Sequence, residues 1–136
     1  MENRSARRYQ DFSRSLEALA AARERDPEDP FVLSGTVQKF SLSFDLSWKV
    51  MKDLSVRHYG VTDFVAGSPR ETLRTAASLE LIAGDLWMDM LRDRNRLTHD
   101  YDGSLAKELF PVILGSYLPL LEAFRQKAGT ILEDTP

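Results

Sequence analysis

Apolar side chains recur along this chain at steps of three and four, the spacing that lines one face of a helix. Tyr9, Phe12, Leu16 and Leu19 form the first such stripe, opposite Arg7, Asp11, Arg14 and Glu17. They predict a helix from about Arg4 to Arg25. Asp26-Pro27-Glu28-Asp29-Pro30 then reads as a turn, with Asp29 as N-cap and Pro30 at the first position of a second helix. That helix is predicted from Pro30 to about Tyr59. It carries one stripe at Val37, Phe40, Phe44, Trp48 and Met51 and another at Leu42, Leu46 and Val50. A helix apolar on more than one side belongs at the centre of a bundle. Gly60 supplies its C-cap, and Gly60 to Gly67 read as a loop.

Ser68-Pro69-Arg70-Glu71 signals the next start, as cap, first-turn proline and capping-box glutamate. A short helix follows with Leu73, Ala76 and Ala77 inward. Gly84-Asp85 opens a fourth, on which Trp87, Met90, Leu91 and Arg94 share a face and which is expected to end near Thr98 or His99. After the turn Asp102-Gly103-Ser104 comes a last helix bearing Leu105, Leu109, Val112, Ile113, Leu120, Leu121 and Phe124. Pro111 and Pro119 predict a kink or break in it. From Gly129 onward the chain is expected to fray. No strand-like alternation, repeat or low-complexity segment interrupts this pattern. The fold class expected is all-α, an up-and-down antiparallel bundle of about five helices. It forms a single domain over residues 1–136, with its core in about 4–126.

Composition narrows the chemistry. At 136 residues, 43% hydrophobic and 29% charged, the chain can bury a real core. It has no cysteine, which removes disulfides, thiolate metal sites and cysteine nucleophiles. Met1-Glu2-Asn3-Arg4 leads straight into charged sequence, so no signal peptide is expected. No apolar run approaches the ~20 residues that span a bilayer. A cytoplasmic protein is the expectation. The net charge of −3 argues against a broad nucleic-acid surface but leaves room for a small phosphate site.

The chemically loaded segment is Arg94-Asn95-Arg96-Leu97-Thr98-His99-Asp100-Tyr101. Arg94 offers a fixed cation with a planar fork of donors suited to phosphate oxygens. His99 exchanges protons near neutral pH. Asn95 lies four residues before His99 and shares its face if the helix continues, where it orients the imidazole or holds a ligand. Tyr101 follows the helix end, within reach of the same pocket. The segment also reads as an ordinary solvated helix end. In that reading His99 faces the helix dipole, and Arg92, Arg94 and Arg96 pair with Asp89, Asp93 and Asp100. His58, the other histidine, reads as a helix-end residue. No metal-ligand spacing is present, and neither metal nor cofactor is expected. The stripe Phe40, Phe44, Trp48, Met51, Trp87 and Met90 reads as core.

Five segments taken in order carry a resemblance. They are Phe40-x3-Phe44-x3-Trp48-Lys49, Ser68-Pro69-Arg70-Glu71, Trp87-Met88-Asp89-Met90, Arg94-Asn95-x3-His99-Asp100-Tyr101 and Tyr117-Leu118-Pro119-Leu120-Leu121. From about Tyr9 to Phe124 the chain resembles the nucleotidyltransferase substrate-binding proteins, a branch of the HEPN superfamily close to HepT-type toxins. The resemblance implies a helical bundle that forms a homodimer and pairs with a minimal nucleotidyltransferase encoded nearby. It implies a toxin–antitoxin-like pair in which an R-x4-H-x-Y site cleaves RNA without metal, with Arg94 and His99 catalytic and Asn95 supporting. The partner would then inhibit by transferring AMP to Tyr101. The alternative it leaves open is a non-catalytic subunit that binds substrate or nucleotide for the transferase. RNA brings its own nucleophile, the 2′-hydroxyl. A histidine can take that proton and an arginine can stabilise charge on the phosphate. The leaving oxygen needs an acid, which a second His99 across a two-fold axis would supply.

Overall fold

The computed structural model describes residues 4–62 and 68–134, and every regular element among them is a helix. The first, α1 (Arg4–Ala20), tightens into a 3₁₀ turn over Ala21–Glu24. Phe12, Leu16 and Leu19 of its stripe are buried, and Tyr9 is half-buried. Asp29 caps α2 (Pro30–Arg57) by accepting the Phe31 N–H at 2.8 Å, with Pro30 in the first turn. Both halves of that start were readable because a cap is a local device. Beyond Arg57 the chain turns off through His58, whose ring meets Tyr59 edge-on at 4.8 Å, and Gly60 takes φ +68°. Of the loop expected over Gly60 to Gly67, residues 63–67 lie outside the described ones.

The short helix α3 (Pro69–Ser78) starts as expected, the Glu71 N–H donating to Ser68 Oγ at 3.3 Å. The Glu71 carboxylate pairs with Arg74 at 3.1 Å rather than reaching back to the cap. Leu73 and Ala76 face inward, but Ala77 is exposed, because the buried face is completed by Thr72 and Ala77 lies at its edge. Glu80, just after α3, sits at φ +62°, a left-handed position usually given to glycine. There the Leu81 N–H reaches back to the Ala76 carbonyl at 2.9 Å.

Helix α4 (Leu86–Leu97) buries Trp87, Met90, Leu91 and Leu97. The last helix, α5 (Ser104–Glu133), is one continuous run. Its prolines do not break it. The segment Ile113–Tyr117 between them winds as a π-turn, whose wider spacing absorbs the hydrogen-bond register lost at Pro111 and Pro119. Because the turn joins the two α-helical stretches, α5 is long and apolar enough to cross a membrane by length and composition. No single apolar run had suggested that. Here its Ile113, Leu118 and Leu121 are wholly buried in the bundle. The end is also firmer than expected: Ala128 is fully buried, and Ile131 and Leu132 pack on the core.

Packing follows the stripes. The doubly apolar α2 touches each of the other four helices and forms the centre. Phe40 stacks on Tyr117 at 5.7 Å, and Trp87 meets Phe124 edge-on at 6.1 Å. α1 is tied to α2 by Arg8, which donates to both oxygens of Asp53 at 2.9 and 3.1 Å. Burial of Asp53 raises its carboxyl above the ordinary range, and the Arg8 charge offsets that only in part. α1 meets α5 where the Tyr9 hydroxyl donates to the Arg125 carbonyl at 3.1 Å. A Cβ at Gly129 would lie 2.5 Å from that hydroxyl, so a larger residue there would have to push the Tyr9 ring aside.

Candidate functional site

The motif helix carries charged side chains of two kinds. Asp93 pairs with arginines of the strip, as the solvated-helix-end reading had it, but it is only 3% exposed. Its Oδ2 accepts the Tyr117 hydroxyl at 2.5 Å, and its Oδ1 accepts from Arg96 Nη1 at 3.0 Å. Arg92 Nε lies 3.5 Å from the same oxygen. A carboxylate this buried is tolerable only when paired and hydrogen-bonded, and here it is both. Burial, then the hydrogen bond and charge of Asp93, push the Tyr117 phenol above its ordinary range. Arg92 and Arg96 are thereby engaged in structure.

Arg94 faces another way. Its Nη2 donates to Asp45 Oδ2 on α2 at 2.7 Å, and its Nη1 donates to Asn95 Oδ1 at 3.2 Å. Its Nε is buried without a hydrogen-bond partner. A buried donor left so costs on the order of 1–3 kcal/mol. Arg94, Asn95, Asp45, Trp48 and Lys49 border a recess of about 150 Å³ whose apolar side is Phe44 and Leu91. Lys49 Nζ lies 5.8 Å from the Trp48 ring centre. Asp45 was missed from sequence, although a polar residue on a helix apolar on two sides was a signal worth following.

Asn95 therefore supports Arg94, not His99. The reason is that α4 ends at Leu97, two residues short of His99. Thr98 turns its hydroxyl onto the Asn95 carbonyl at 2.7 Å, and the next amides, His99 to Arg96 and Asp100 to Leu97, close tight i−3 turns at 3.1 and 3.3 Å. Asp100 already serves α5: its two oxygens accept the Leu105 and Ala106 N–H groups at 3.1 and 2.7 Å. Asp102 accepts the Ser104 N–H and hydroxyl at 3.0 and 2.8 Å, and those bonds hold its carboxyl below the ordinary range.

Between these anchors His99 is exposed and Tyr101 projects outward, 92% exposed. Tyr101 borders a second recess, of about 540 Å³, between the start of α2 and the start of α5. In a single chain, then, the three motif side chains do not line one pocket. Arg94 lines the small recess, Tyr101 the large one, and His99 neither. The shared face of Asn95 and His99 was expected only if α4 continued to His99, and it stops at Leu97.

The fold and this segment define an all-helical bundle protein that displays a histidine and a tyrosine on a short, firmly held loop and an arginine in a separate recess. The family described as "Nucleotidyltransferase substrate binding protein like" matches residues 7–129, and the chain belongs to that family. No curated protein matches the chain.

Proposed function

We propose that this protein is the helical partner of a nucleotidyltransferase, and that Tyr101 is the group on which the transferase acts. The observation that carries this is the exposure of Tyr101, 92%, on a loop whose ends are pinned by Asp100 and Asp102. A transferase needs an acceptor oxygen it can surround, held still enough to meet the α-phosphorus of ATP. In the step proposed, the phenolic oxygen of Tyr101 bonds to that phosphorus, pyrophosphate leaves, and the phenol proton passes to a base of the transferase. The family's name supports the pairing. Incubating the protein with the transferase encoded beside it and ATP should add one AMP mass per chain, and Tyr101→Phe should remove the addition. Full labelling of Tyr101→Phe would contradict the assignment.

A second reading concerns what the modification controls. The unmodified protein is an RNase toxin, with Arg94 stabilising charge on the scissile phosphate and His99 moving the proton of the 2′-hydroxyl. The outward-facing His99 favours a site completed by a second copy, since one chain supplies one motif histidine and that side chain lines neither recess. AMP on Tyr101 would bring a bulky anion to the loop beside His99 and repel RNA phosphate. His99→Ala should then relieve growth arrest caused by the wild-type chain expressed without the transferase. Arrest that persists in His99→Ala would reject this reading and leave a substrate-binding subunit.

A further inference from the structure

The larger recess beside Tyr101 has features that transfer to an exposed tyrosine does not require. At about 540 Å³ it falls within the ~300–1,000 Å³ usual for small-molecule sites. Leu33 and Val37 of α2 and Leu97 and Ala106 opposite give it an apolar wall. Ser34 and Gln38, both exposed on α2, place a hydroxyl and a carboxamide on its border. A carboxamide both donates and accepts, as the edge of a nucleobase does. Tyr101 contributes an aromatic ring at the mouth, and base–aromatic stacking tolerates any base.

The charge around the recess says which part of a nucleotide fits. Among the described residues, Glu28, Asp100 and Asp102 border it against one cation, Lys107, whose Nζ is 3.3 Å from Glu28 Oε2. A wall of net negative charge repels phosphate and accepts a neutral planar group. We propose that this recess is a nucleoside site. It takes the nucleoside end of the nucleotidyl group carried on Tyr101, with the base against the Leu33–Val37 wall, and leaves the phosphodiester outside at the phenolic oxygen. The site rests on the transfer reading only for the source of its nucleoside; recognition of a free nucleoside follows from the recess alone.

The test is calorimetric titration of the unmodified full chain with adenosine, guanosine, cytidine and uridine, and with their 5′-monophosphates. At least one nucleoside should bind one per chain, and its monophosphate should bind about fivefold more weakly, the effect of a like charge at a few ångströms in water. Ser34→Trp, a change at an exposed helical position that fills the recess, should abolish binding with the helical circular dichroism unchanged. Gln38→Ala should weaken binding by up to about tenfold, the loss of one or two hydrogen bonds. Absence of binding by all four nucleosides, binding unchanged in Ser34→Trp, or a monophosphate bound as tightly as its nucleoside would each overturn the proposal. Binding without any transfer to Tyr101 would discard the transfer reading and support the recess.

Discussion

Asp93 and Tyr117 lie 24 positions apart, and their hydrogen bond fastens the motif helix to the π-turn of α5. Tyr117→Phe keeps the ring that stacks on Phe40 and removes the hydroxyl. It should cost about 1.5–3 kcal/mol in urea unfolding at neutral pH, the range for a hydrogen bond to a charged group. The pH dependence has a definite sign. The folded-state phenol titrates above the unfolded value of 10.0, so its contribution is complete below pH 10.0 and is lost as pH rises through the folded value. The gap between wild type and Tyr117→Phe should therefore hold at neutral pH and close in alkali. A gap that widens above pH 10.0 would contradict the assignment. Neither partner could be read from sequence. Asp93 sits between Arg92 and Arg94 in what looks like a solvated strip, and Tyr117 lies in a helix that two prolines seemed to divide. Arg94, by contrast, stood out from the strip by its chemistry, although its partner Asp45, 49 positions away, did not.

At the scale of elements, helix starts were the most readable feature and helix ends the least. Asp29-Pro30 and Ser68-Pro69 work locally, through one side chain and one ring, so their sequence states them. The end of α4 depends on Thr98 folding back and on Asp100 serving the next helix, a choice made across two elements. That early stop turned the expected Asn95–His99 pair into an Asn95–Arg94 contact. The end of α3 shows the same dependence. Glu80 holds a left-handed backbone that the packing of Leu81 imposes, since Leu81 is 2% exposed and bonded back to Ala76. Glu80→Gly removes the steric penalty of that conformation and should stabilise the fold by up to about 1 kcal/mol in denaturant unfolding. The Glu80 carbonyl that accepts Lys127 Nζ is retained by the substitution. A loss of stability would show that the glutamate side chain contributes something the backbone argument omits.

For the molecule as a whole, α2 organises the bundle because it is apolar on two sides, and this much was visible in its stripes. The relation between motif residues was not, because it depends on where α4 stops and, in the RNase reading, on a second copy. That reading has its own test at this scale. RNA cleavage per chain should fall on dilution in step with the dimer fraction measured by sedimentation, whereas a monomer cleaving at full rate would reject a site shared between copies. The central claim is narrower: one exposed phenol is the acceptor. The chain has four tyrosines, and they differ sharply in access. Tyr117 is 2% exposed, Tyr9 donates to the Arg125 carbonyl, Tyr59 is 41% exposed and Tyr101 92%. Peptide mass mapping after reaction with the transferase and ATP separates them in one measurement. The account predicts the added AMP on the peptide containing Tyr101 and on no other tyrosine; label on Tyr59 with Tyr101 untouched would contradict it.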